Sequence, residues 1–111
     1  MKICVYAITK NEEKNVDAWV DSMSEADEIY VLDTGSSDNT VSKLKKRGVH
    51  VKQEVIIPWR FDVARNKSLE MVPEDTVLYV CTDLDERFDS GWRNFLEKNY
   101  QTWNKINQIL E

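Results

Sequence analysis

Residues 28–40 read EIYVLDTGSSDNT. Ile29, Tyr30 and Val31 are strand formers, and the run ends on an acid, Asp33. The seven residues that follow are small and polar, the composition of a tight turn. Gly35 allows positive φ there, and Asp38 and Thr40 read as structural caps for a helix that begins near Asp38. A strand that delivers an acid to its carboxyl end and turns straight into a helix is one β-α unit. If that unit repeats, the sheet is parallel and ligands belong beyond the strand ends.

It repeats on both sides. Upstream, Ile3 to Ile8 (ICVYAI) is unbroken and apolar, as a central parallel strand covered on both faces should be, and it empties into Thr9-Lys10-Asn11-Glu12. Asn11 reads as a helix N-cap, followed by Val16, Trp19, Val20 and Met23 at helical spacing. Downstream, the helix from Asp38 carries Val41 and Leu44. It closes with Lys43, Lys45, Lys46 and Arg47 on a solvated face and Gly48 at C′. Val49, Val51 and Val55 mark a third strand broken before Pro58. A helix over about Phe61 to Met71 puts Phe61, Ala64, Ser68 and Leu69 on one face. Thr76 to Cys81 (TVLYVC) is a fourth strand, and it runs into Thr82-Asp83-Leu84-Asp85-Glu86-Arg87. After Asp89 or Ser90 as N-cap, an amphipathic stripe carries Trp92, Phe95, Leu96, Tyr100, Trp103, Ile106, Ile109 and Leu110. The order β-α-β-α-β-α-β-α predicts an α/β, Rossmann-like fold: a mostly parallel sheet of about four strands, right-handed crossovers and flanking helices.

Composition narrows the classes. At 111 residues, 41% hydrophobic and 32% charged, the chain is one ordinary domain with a modest core. A formal net charge of -5 argues against a nucleic-acid-binding surface. No apolar run approaches the roughly 20 residues that span a bilayer, and the N-terminal stretch is too short for a signal peptide, so the expected compartment is cytoplasmic. Cys4 and Cys81 sit in strand-like runs without metal spacing and read as buried reduced thiols. His50 reads as a surface residue.

Alternation past the fourth strand directs Asp83 and Asp85 to one side and Leu84 to the other. Two carboxylates so placed can share a Mg²⁺ or Mn²⁺ ion that keeps further sites for phosphate oxygens, although an acidic surface turn has the same appearance. Asp33, at its strand end, can accept hydrogen bonds from a base or ribose. A glycine-rich dinucleotide loop is absent after the first strand, where TKNEEKN stands.

These segments together resemble the family 2 glycosyltransferases of the GT-A type. The resemblance rests on Thr9-Lys10-Asn11-Glu12 after the first strand, DTGSSDNT at Asp33 to Thr40, Ala64-Arg65-Asn66 on the third helix, and Asp83-Leu84-Asp85 after the fourth strand, all in order within residues 1–90. It implies a nucleotide-sugar donor site, with a UDP-sugar expected and Mn²⁺ or Mg²⁺ as cofactor. Thr9 and Asn11 would lie beside base and ribose, Asp33 on uracil or ribose, Arg65 near base or phosphates, Asp83 near ribose and metal, and Asp85 on the metal. Thr9 stands where many members carry proline. Residues 1–90 would be the donor-binding subdomain. Residues 91–111 would be a helical tail, either the truncated start of an acceptor half or an oligomerisation element that forms a homodimer. Transfer would proceed with inversion, and the general base is expected beyond residue 111. The competing readings are a nucleotide-binding or assembly module without turnover and, further off, a phosphatase with the same acidic triplet.

Overall fold

The structure is a computed structural model that describes residues 1–110, with side chains described through residue 103. Four strands, β1 (Ile3–Thr9), β2 (Glu28–Asp33), β3 (His50–Gln53) and β4 (Leu78–Cys81), form one sheet in the order β3-β2-β1-β4. All three pairings are parallel, with Thr9 opposite Asp33 and Tyr6 opposite Cys81. Four helices connect and follow them: α1 (Val16–Met23), α2 (Thr40–Lys46), α3 (Phe61–Glu70) and α4 (Trp92–Leu110). The α/β architecture with a parallel sheet is therefore the one expected.

The alternation of β1 explains its uninterrupted apolar run. Ile3, Val5 and Ala7 enter one core with Val16, Trp19 and Met23 of α1, Leu44 of α2, Leu84, and Trp92 of α4. Cys4 and Tyr6 enter the other, beside Tyr30 and the Met71-Val72 segment that follows α3. Both faces of the central strand are thus covered. The chain passes outward from β1 to β2 to β3, then crosses back to β4 on the other side of β1. That reversal makes the carboxyl ends of β1 and β4 the topological switch point, where ligands of such sheets bind.

Several boundaries move. α1 starts at Val16, not Asn11, because Asn11 takes φ 53°, a left-handed conformation that cannot open a right-handed helix. α2 starts at Thr40, whose amide donates to Asp38 Oδ1 at 3.0 Å, so Asp38 caps the helix from outside it. β3 ends at Gln53, and Val55 lies beyond it in solvent. β4 is an edge strand, and this exposes the Cys81 thiol that was expected to be buried; Cys4 is buried. Ala64 and Ser68 are the buried positions of α3, whereas Phe61 and Leu69 point outward.

The first turns of α4 belong to the body of the domain. Trp92 is buried, its indole Nε1 donates to Ser22 O at 2.9 Å, and its ring meets Phe88 edge-on at 5.4 Å. Arg93 pairs with Asp27 at 3.1 Å and Glu97 at 2.7 Å, and donates to Met1 O at 2.7 Å. Trp103 is exposed. The side chains of Ile106, Ile109 and Leu110, the rest of the expected stripe, lie outside the described residues. No helix of the described residues is long and apolar enough to cross a membrane.

Two measurements probe this packing. Trp19 is fully buried, and its indole N–H has no hydrogen-bond partner among the described residues. Trp19→Ala is expected to cost about 3–5 kcal/mol, the range for emptying a large aromatic site. Trp19→Phe keeps much of the ring and removes an orphaned donor, so it should cost less than about 1.5 kcal/mol; equal losses in urea denaturation would refute this account.

Asp27 and Glu25 are held below the usual carboxylate range. For Asp27 the main cause is the Ile3 amide at 2.8 Å, then Arg93; for Glu25 it is the Gly91 and Arg93 amides. Depressed folded pKa values stabilise fully above the unfolded value of about 4, and that stability is lost as pH falls through the folded values. The melting temperature should therefore drop on acidification below pH about 4, and drop less in the Glu25→Gln/Asp27→Asn variant.

Candidate functional site

At the switch point lies an open groove of about 600 Å³. Thr9, Lys10 and Glu12 from the exit of β1, Thr34 from the exit of β2 and Asp83 from the exit of β4 line one side. Val55, Ile56, Ile57, Trp59 and Phe61, between β3 and α3, line the other. One wall is polar and the other apolar, and Lys10 is the cation of the polar wall.

The polar wall is built by a clasp between two strand-exit loops. Asp33 is fully buried, and its carboxylate accepts the amides of Gly35 at 3.2 Å and Ser36 at 3.0 Å together with the Ser36 hydroxyl. Gly35 sits at φ 126°, a conformation side chains rarely adopt, so the turn needs glycine. The Asn11 amide donates to Ser36 Oγ at 2.8 Å, and Asn11 Oδ1 accepts the Ser37 amide at 2.7 Å. The Glu12 amide donates to Thr40 Oγ1 at 2.9 Å. Asp33 and Asn11 therefore shape the site from beneath, while Thr9 and Asp83 reach its lining directly. Thr9 is 2% exposed and its hydroxyl has no hydrogen-bond partner among the described residues.

The acidic turn is pinned from below. Leu84 is fully buried in the main core, and the Phe88 amide donates to Ser22 Oγ at 2.6 Å on α1. Glu86 Oε1 accepts the Asp83 amide at 2.7 Å, and the Glu86 amide donates to Asp83 O at 3.0 Å. Glu86 thus organises the turn, and Asp83 and Asp85 are left exposed, with no ion pair among the described residues. The nearby Arg87 gives its donors to Leu84 O, Glu86 O and Asn15 Oδ1 instead. Glu12 is pushed above the usual carboxylate range, chiefly by burial and then by the charges of Asp85 and Asp83, and its Oε2 is buried without a hydrogen-bond partner among the described residues. Among the described residues no three His, Cys, Asp or Glu side chains converge into a complete metal cage. β4 ends at Cys81, so Asp83 and Asp85 stand in a turn and not on strand alternation, and of the two only Asp83 lines the groove. Exposed carboxylates without an ion pair among the described residues are of the donor type that suits a hard divalent cation taking its remaining oxygens from a ligand.

Arg65 is exposed on α3, with its guanidinium 4.7 Å from the Phe61 ring centroid, so it stands behind the apolar wall and not in the polar one. Sequence reasoning missed most of that apolar wall. Its signal is the run Val55-Ile56-Ile57-Pro58-Trp59, too apolar for a solvent loop and too irregular for a strand.

Comparisons with known proteins establish the family of this fold. The model of the family described as glycosyl transferase family 2 matches residues 4–107. The chain belongs to this family. It is 32% identical over 106 residues to an uncharacterized glycosyltransferase of Rickettsia conorii, covering 94% of this chain and 36% of that protein. A counterpart in Rickettsia typhi is 31% identical, with 94% and 35% covered. The chain thus spans about a third of the length of the curated relatives it matches. Among solved structures it is similar to glucosyl-3-phosphoglycerate synthase from Mycobacterium tuberculosis in complex with Mn²⁺, UDP and glucosyl-3-phosphoglycerate. That match has a TM-score of 0.63 and 29% identity, over 76% of this chain and 33% of the synthase. The same synthase in complex with Mg²⁺ and UDP matches equally, at TM-score 0.63.

The clasp of this family 2 domain makes a separable prediction at Asn11. Asn11→Gly keeps the left-handed backbone and loses only the side-chain acceptor, whereas Asn11→Ala loses both. The alanine variant should be less stable than the glycine variant by about 1 kcal/mol, read from paired urea melts.

Proposed function

We propose that this chain is the donor-binding part of a glycosyltransferase that takes a nucleotide-sugar, a UDP-sugar by preference, and passes the sugar to an acceptor with inversion. The observation that carries the reading is Asp83, an exposed carboxylate with no ion pair among the described residues, lining the switch-point groove together with Thr9 and Lys10, with the equally exposed Asp85 two residues on. Asp83 and Asp85 would hold Mn²⁺ or Mg²⁺. When bound, the ion neutralises charge on the departing nucleoside diphosphate and acts as a Lewis acid.

The chain's own residues do the rest of the binding. Thr9 is proposed to lie beside base or ribose, and Asn11 and Asp33 hold the loops that frame them. Lys10 faces the phosphates from the polar wall, and Arg65 supplies a second cation behind Phe61. Residues 1–90 are the proposed donor-binding unit. Residues 91–111 begin an acceptor half, or self-associate through the side of α4 on which Phe95 and Trp103 are exposed. The base that deprotonates the acceptor hydroxyl is proposed to lie beyond residue 111, and the proposed compartment is the cytoplasm.

Calorimetric titration of UDP tests the reading. Binding is expected with Mn²⁺, and should fall by at least about 100-fold, roughly 2.7 kcal/mol, with EDTA or in the Asp83→Ala/Asp85→Ala variant. Undiminished binding in that variant would remove the acidic pair from the site. Metal-dependent binding without sugar release would identify a binding module.

A further inference from the structure

Between β3 and α3 the chain leaves large apolar side chains in water: Val55 is 63% exposed, Ile57 86%, Trp59 55% and Phe61 51%. Apolar exposure concentrated on one short segment marks a contact surface. All four side chains line the groove that also holds Thr9, Lys10 and Asp83.

Strand order sets the axis of that groove. The apolar segment departs from β3 at one edge of the sheet, and the acids depart from β4 at the other. Three inter-strand spacings separate those edges, about 14 Å. An occupant of the whole groove therefore needs an anionic end that shares a cation with Asp83, the β4-exit acid of the lining, and an apolar end several bonds away. Between the ends it meets the Thr9 and Thr34 positions of the polar wall. A nucleoside diphosphate has that polarity: phosphates, then ribose hydroxyls, then a flat aromatic base. Phe61 already carries the Arg65 guanidinium on its ring, so Trp59 is the wider aromatic surface still open to a ligand.

We propose that Trp59 is the platform on which the nucleobase of the donor stacks, with Ile57 and Phe61 walling the base. The proposal rests on the donor-binding reading of this groove. Stacking accepts any base with a π-face, so Trp59 supplies affinity while the polar wall selects the base.

The test titrates wild type, Trp59→Ala and Trp59→Phe with UDP and with inorganic pyrophosphate, each with Mg²⁺, while thermal melts check that the variants fold. Trp59→Ala should bind UDP about 10- to 100-fold more weakly and pyrophosphate as wild type does, and Trp59→Phe should recover most of the loss. Unchanged UDP affinity in Trp59→Ala overturns the platform and leaves the donor site standing. Loss of pyrophosphate together with UDP also overturns it, because the segment would then be structural. A wild-type protein that binds no UDP ends the donor reading and the platform with it.

Discussion

The burial of β1 on both faces, with a parallel partner hydrogen-bonded along each edge, is the constraint on which the other elements depend. Its odd-numbered residues from Ile3 to Ala7 need the cover of α1, α2 and the first turns of α4, and its even-numbered Cys4 and Tyr6 need the segment after α3. Helices on both faces require the chain to reverse its direction of travel across the sheet. That reversal places the exits of β1 and β4 side by side. The groove is therefore a consequence of the core, and its polar residues sit at strand ends because every position further down β1 is committed to packing.

Much of this was legible because burial on two faces leaves an unbroken apolar run, and an abrupt change to small polar residues leaves a turn. ICVYAI and EIYVLD carry these marks, and the spacing of Val16, Trp19, Val20 and Met23 marks a helix face in the same way. The departures share one cause: they depend on contacts distant in sequence. Asn11 has the chemistry of a cap, yet its side chain is taken by the amide of Ser37, and its backbone turns left-handed. Cys81 lies in a run as apolar as that of β1, but strand order puts it at an edge. Val55 fits an alternating strand, and Gln53 is where pairing with β2 stops. The roles of Asp33 and Asn11 as braces were equally hidden, since a residue's type does not reveal how many of its lone pairs neighbouring amides will consume.

The site divides its labour between held and free groups. Glu86, Leu84 and Phe88 are spent on fixing the acidic turn, and this keeps Asp83 and Asp85 presented without a cation to quench them. Asp33, Gly35, Ser36 and Asn11 are spent on the clasp, and the Thr9 hydroxyl and Glu12 Oε2 have no hydrogen-bond partner among the described residues. Orphaned buried polar atoms cost a folded protein free energy. Two of them, Thr9 Oγ1 and Glu12 Oε2, lie at the strand-exit end of the sheet.

The pairing of Ile3 with Leu78 has a bearing on how the molecule comes into being. The strand at the centre of the sheet leaves the ribosome ahead of both its neighbours. β2 follows after one short helix, but β4 is made only after about seventy further residues, and the Arg93 contact to Met1 O comes later still. During that interval one edge of β1 has no native partner. Closure of the sheet is thus a long-range event set by topology, of the kind associated with slower folding and transient exposure of strand edges. The nascent chain holds the halves of this groove apart until β4 arrives, so the groove is among the last features it completes.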